Sequence, residues 1–142
     1  MQDLVVLKSR WVDDSDALIL LRTRVFVEEQ NVSAAVELDG RDADCQHVKA
    51  IIDGVIIGTG RLLPNGFIGR MCVLKEYRNR KIGTMMLENL VQQGSDNGHH
   101  KVLLNAQSYI IPFYQKYGFR IDSDEFIEAD IPHRRMILNL KT

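Results

Sequence analysis

The spacing of apolar and polar positions changes several times along the chain, and each change marks an element. Residues 4–7 form a short apolar run and read as a first strand. Asp13, Asp14, Ser15 and Asp16 then supply N-cap and first-turn side chains. Leu18, Leu21, Val25 and Phe26 recur at helical spacing, so residues 14–29 read as an amphipathic helix. Residues 31–44 are polar, acidic and irregular: a long loop, or a short helix between loops. A meander follows. Residues 47–52, 55–63 and 67–74 are strand-like, separated by the turn signals Asp53-Gly54 and Pro64-Asn65-Gly66.

The period then returns to helical. Ile82, Met85, Met86, Asn89 and Leu90 share a face, and Asn97-Gly98 supplies the stop. A strand over residues 101–106 after this crossover is expected parallel to the strand before it. Pro112 opens a short helix that Gly118 ends, and residues 119–121 and 134–140 read as a closing strand pair. The fold class is mixed α+β: a mostly antiparallel sheet with one parallel pair, flanked by helices.

Composition narrows the picture by exclusion. The 142 residues are 45% hydrophobic and 26% charged, proportions of one globular domain spanning residues 1–142. A formal net charge of -1 gives no general attraction to nucleic acid or an anionic membrane. Cys45 and Cys72 lack the spacing of a metal site or a disulfide framework and read as reduced thiols. No signal peptide or membrane-spanning run is visible, so the expected location is cytoplasmic, and no metal is expected.

Two segments carry candidate chemistry. Between residues 73 and 84 a strand ends, a basic loop follows and a helix begins. Lys75, Arg78, Arg80 and Lys81 stand there against the single acid Glu76. Unpaired amides at a helix start, helped by cations, suit a phosphate, and Gly83 leaves room for one to approach the backbone. A solvated basic turn is the bland alternative. The second segment, Ile111-Pro112-Phe113-Tyr114-Gln115-Lys116-Tyr117-Gly118-Phe119, taken alone is consistent with core packing.

Together the two segments resemble the GCN5-related N-acetyltransferase (GNAT) superfamily. Its coenzyme A motif, Arg/Gln-x-x-Gly-x-Gly/Ala, is matched by Arg78 and Gly83, with Lys81 where the first glycine normally stands. The segments Arg24-Val25-Phe26-Val27-Glu28-Glu29-Gln30 and Glu37-Leu38-Asp39-Gly40-Arg41-Asp42, followed by His47, are similar to the ElaA/YjcF-type branch of small bacterial acetyltransferases.

The resemblance implies acetyl-CoA as co-substrate and direct transfer of its acetyl group to an amine, of a small molecule or peptide, in a ternary complex. It implies that Met71, Cys72 and Val73 line the pantetheine arm through their backbone. Arg78, Arg80, Lys81, Ile82, Gly83 and Thr84 would hold the pyrophosphate, with Asn105 and Gln107 as secondary cofactor contacts. Tyr114 matches the family tyrosine that protonates the leaving thiolate, a role suited to a phenol. No acid stands on the strand before the phosphate loop, so the general base is sought in His47 or Glu28, then in Glu37, Asp39 or a water chain. The acids between residues 28 and 44 form an expected acidic rim that would draw a cationic acceptor. Exposed apolar residues of the terminal hairpin are candidates for a homodimer contact. The competing reading is a non-catalytic acyl-CoA-binding module, which would need the phosphate loop but not Tyr114.

Overall fold

The computed structural model describes residues 3–140 and, within them, every side chain except those of Ala35 and Val36. The strands are β1 (Leu4–Ser9), β2 (Gln46–Ile52), β3 (Val55–Leu62), β4 (Phe67–Val73), β5 (Lys101–Gln107), β6 (Arg120–Ile121), β7 (Phe126–Glu128) and β8 (Ile131–Asn139). The α-helices are α1 (Trp11–Arg22), α2 (Ala34–Glu37), α3 (Ile82–Asp96) and α4 (Ile111–Gln115). All strands join one sheet in the order β1-β2-β3-β4-β5-β8-β6, with β7 paired to the start of β8. The meander from β1 to β4 is antiparallel, and β4 and β5 form the expected parallel pair across the α3 crossover.

That parallel pair is short. It joins Phe67 to Leu103 and Ile68 to Leu104 and extends no further. A bulge in β4 lies immediately beyond: Arg61 pairs Gly69 and Thr59 pairs Cys72, so Arg70 and Met71 together face Gly60. Arg70 takes a left-handed backbone, φ 50°, to make the extra residue fit. The bulge turns the end of β4 away from β5, and the two strands diverge toward the C-terminal side of the sheet.

α3 fills the concave face. Ile82, Met86, Leu87 and Leu90 are buried against Val48, Ala50, Ile57, Leu62, Val102 and Leu104. The helix can lie this close because β3 offers glycines beneath it. A Cβ at Gly60 would come 2.9 Å from Leu90 Cδ1 and 3.0 Å from Met71 Cγ.

Two expectations need correction. The first helix begins at Trp11, not Asp14, and changes to a π-helix at Thr23–Glu29. The Arg10 carbonyl accepts the amides of Asp13 and Asp14, both at 3.0 Å, so the aspartates sit inside the first turn, where the helix dipole favours them. The Asp14 carboxylate reaches outward instead, accepting from Ser9 Oγ at 2.6 Å and Lys49 Nζ at 2.9 Å. The closing strand pair is also larger than expected. β8 pairs along its length with β5 and carries both β6 and β7 on its other side, exposing Ile121 and Ile127. Among the described residues no helix is long and apolar enough to cross a membrane.

Substituting Gly60→Ala forces a methyl group into packed side chains and should cost about 1–3 kcal/mol, read as a lower melting temperature. Gly69→Ala, on the neighbouring strand, meets no atom within 4 Å and should shift stability by less than about 0.5 kcal/mol. Equal melting temperatures for the two variants would refute this account of the helix–sheet contact.

Candidate active site

The divergence of β4 from β5 leaves two adjoining cavities. One, of about 510 Å³, lies between the end of β4, the start of α3 and α4. The other, of about 590 Å³, lies between β4, β5, the start of β8 and the loop that carries α2. Gln30, Met71, Ile110 and Tyr114 line both, so the cavities meet there.

The first cavity gathers most of the residues expected to hold coenzyme A: Met71, Cys72 and Val73 from β4, then Arg78, Lys81, Ile82, Gly83 and Thr84. Past Ile68 the edge of β4 facing β5 has no strand partner, which leaves that edge open to an extended ligand as far as the Val73 carbonyl, which Arg78 engages. Lys81, the N-cap of α3, is left-handed at φ 63°. This explains why glycine suits that position, and the lysine bears a strain of about 1–2 kcal/mol there. Gly83 has ordinary backbone angles, and a Cβ added to it would meet nothing within 4 Å. The space beside it belongs to the cavity, so the backbone of the first helical turn is approachable.

The cations of the loop are not equivalent. Arg78 donates from Nε to the Val73 carbonyl at 3.0 Å and makes a two-pronged ion pair with Glu29 at 2.6 and 2.8 Å. It clamps the loop to the end of β4 and to the π-helix. Arg80 lines neither cavity, and its guanidinium lies 5.4 Å from the centre of the Tyr77 ring. Lys81 is exposed at the cavity edge.

Tyr114 lies edge-on to Phe113 at 5.1 Å and to Phe119 at 5.9 Å between ring centres. Among the described residues its hydroxyl makes no hydrogen bond, and burial, with a smaller contribution from Tyr109, pushes its phenol up to about 12. Burial likewise pushes the Cys72 thiol up to about 12, so it stays protonated and is a poor nucleophile. Tyr117 is occupied elsewhere, donating to Thr84 Oγ1 at 3.0 Å and tying the turn after α4 to the start of α3.

Several expected residues lie elsewhere. Asn105 and Gln107 line the second cavity and not the one beside α3. Glu28 is exposed on the π-helix and lines neither. His47 is buried behind the site: its Nε2–H donates to the Asp42 carbonyl at 2.9 Å, and its ring stacks on Trp11 at 5.0 Å. Burial also lowers its basicity, so His47 shapes the loop and does not face the cavities.

The acidic rim is also corrected. Glu37 and Asp42, both buried, are held by Arg22, with Arg22 Nε to Glu37 Oε1 at 2.5 Å and Nη1 to Asp42 Oδ1 at 2.6 Å. Arg61 takes Asp39 Oδ2 at 2.6 Å and Asp42 Oδ1 at 3.0 Å, and holds the Asp39 carboxyl well below the usual carboxylate range. Arg70 donates to the Glu37 carbonyl at 3.1 and 3.2 Å. Arginines from α1, β3 and β4 therefore neutralise Glu37, Asp39 and Asp42, and the second cavity presents mixed charge.

Two residues of that cavity escaped the sequence reading: His133 and Glu128. The register of β8 on β5 sets His133 opposite Gln107. That pairing is the signal that would have found it.

The family model described as an acetyltransferase (GNAT) domain matches residues 14–140. The N-acetyltransferase YjcF of Bacillus subtilis, itself uncharacterized, is 36% identical over 121 residues, 82% of this chain and 86% of that one. Among solved structures, an acyl-CoA N-acyltransferase from Pseudomonas aeruginosa superposes with a TM-score of 0.85 at 31% identity, covering 95% of this chain and 99% of that one. ElaA of Escherichia coli superposes with a TM-score of 0.83 at 29% identity, covering 95% and 98% of the two chains. With its split parallel pair, its basic helix start and these likenesses across nearly its whole length, the chain belongs to the GNAT family of acetyltransferases.

Proposed function

We propose that this chain transfers an acetyl group from acetyl-CoA to a primary amine of a small molecule or peptide by direct attack, residues 1–142 acting as one GNAT domain. The observation that carries the reading is the junction of two cavities at Tyr114. One cavity has the features of a coenzyme A site, and the other has the volume and mixed polar lining of an acceptor site. In further support, a GNAT-family acetyltransferase of Elizabethkingia anophelis with acetyl-CoA bound shares the fold, at a TM-score of 0.70 and 18% identity.

In this reading the amides of Ile82, Gly83 and Thr84, orphaned at the start of α3, receive the pyrophosphate with the partial positive charge of the helix end. Lys81 adds charge at the rim. Arg78 acts indirectly, by fixing the loop against Val73 and Glu29. The pantetheine arm runs along the open edge of β4 and brings the thioester to Tyr114. The amine enters from the second cavity and attacks the carbonyl. The C–S bond breaks, and the Tyr114 phenol gives its proton to the departing sulfur. A protonated, buried Cys72 supports a ternary complex over an acyl-enzyme. A non-catalytic acyl-CoA-binding module would use the first cavity alone and would leave the second, and the Tyr114 hydroxyl, without a role.

Two variants test the reading. Gly83→Glu places a negative side chain in the open space beside the helix start, where it repels the pyrophosphate. Acetyl-CoA affinity by calorimetry should fall at least tenfold while the melting temperature holds; an unchanged affinity would remove the phosphate assignment. Tyr114→Phe keeps the ring packing and deletes the acid. kcat should fall about 10²–10⁴-fold at nearly constant acetyl-CoA affinity. Because burial raises the phenol to about 12, it stays protonated well above pH 10, so the wild-type profile should show no alkaline step near pH 10. Full kcat in the Phe variant would reject the acid role.

A further inference from the structure

We infer that His133, supported by Glu128, is the base that takes the proton from the acceptor amine. The inference rests on the transferase reading above. An amine that reaches the second cavity as an ammonium ion cannot attack until it loses a proton. The residues that the sequence offered for this task do not suit it. His47 and Glu28 line neither cavity, and Asp39 is held by Arg61 and strongly acidic. Glu37 has Arg22 on one carboxylate oxygen and its other oxygen buried.

His133 suits it on four counts. It lines the same cavity as Tyr114. Its tautomer is set by the backbone: Nδ1 lies 2.7 Å from the Ile131 carbonyl, which can only accept, so Nδ1 carries the hydrogen. In the neutral ring Nε2 therefore holds the lone pair. The Glu128 carboxylate stands 3.7 Å from Nε2, too far for a hydrogen bond but close enough to stabilise an imidazolium. Finally, the ring is held: the side chain is 8% exposed and stacks on Phe126 at 6.0 Å and 19°. The gap between Nε2 and the carboxylate matches a primary ammonium, which can donate one N–H to each.

The ammonium gives its first proton to His133 Nε2, and the freed lone pair attacks the thioester carbonyl. As the C–S bond breaks, Tyr114 protonates the sulfur. The second proton, lost from the new amide nitrogen, restores the phenol, and the imidazolium releases its proton to solvent. The other charged groups of the cavity are Glu37 and Asp39 on the α2 loop, Arg41 beside them, and Arg61 and Arg70 on β3 and β4. Arg61 pairs with Asp39, and Arg70 is bonded to the Glu37 carbonyl. Glu128 is the carboxylate beside the ring.

The experiment compares wild type, His133→Gln and Glu128→Gln in acetyl transfer to the best amine of a panel, across pH, with acetyl-CoA binding followed by calorimetry. Nitrogen-15 spectra of wild type report the His133 tautomer. His133→Gln should lose about 10²–10³-fold in kcat/KM for the amine at neutral pH. The loss should shrink as pH rises toward the amine's own pKa, with acetyl-CoA affinity unchanged. Glu128→Gln should lower kcat/KM for the amine by a smaller factor than His133→Gln, because the carboxylate beside Nε2 is lost, again with acetyl-CoA affinity unchanged. The spectra should show hydrogen on Nδ1. A His133→Gln variant with the wild-type acid limb, or spectra with hydrogen on Nε2 alone, would overturn the base assignment and leave the transferase reading intact. A wild type that binds acetyl-CoA and acetylates no amine would instead overturn both.

Discussion

Everything at the site depends on the parallel pairing of β4 with β5 ending after Ile68 and Leu104. A continued ladder would have satisfied the backbone of both strands and closed the sheet. The bulge at Arg70 and Met71 stops it, at the cost of a left-handed arginine. From that one interruption follow the unpaired edge of β4 past Ile68, the slot between the strands, and two cavities that meet at Tyr114. The same turn of β4 aims its end at the α3 N-terminus, so an extended ligand meets strand edge and helix amides in sequence.

A second constraint shapes the second cavity. The segment over residues 34–44 has only two short helical turns, Ala34–Glu37 and Asp42–Asp44, yet it lines the second cavity. It is held by buried charge: Arg22, Arg61 and Arg70 from separate elements converge on Glu37, Asp39 and Asp42. Such pairs add little net stability over apolar packing, but breaking one is costly because its partner is left charged and buried. They therefore act as a fixed register for the loop. His47 and Trp11 back the same network from behind, which is why a histidine with a suitable intrinsic pKa is structural here.

Much of this was legible in the sequence because it is local. Apolar spacing marks the meander and the α3 face, Asp53-Gly54 and Asn97-Gly98 mark chain reversals, and the basic loop with Gly83 marks the helix start. What the sequence hid is long-range. The aspartates at the start of the first helix look like caps, but one of them reaches Lys49. The acids before residue 45 look like an exposed rim, and only the folded chain brings arginines onto Glu37, Asp39 and Asp42. Arg78 looks like a phosphate ligand by spacing, but Glu29 and the Val73 carbonyl already engage its guanidinium. His133 becomes visible only when β8 is set in register on β5, opposite Gln107.

The central claim is that the two cavities are the two substrate sites of one transfer reaction. The most direct measurement is release of free thiol from acetyl-CoA by the intact chain, followed across a panel of small amines and peptides with the acetylated product identified by mass. The account predicts thiol release that requires the amine, saturates in it and matches the acetylated amine one for one. Acetyl-CoA that binds, together with thiol release no faster with any amine than without, would contradict it.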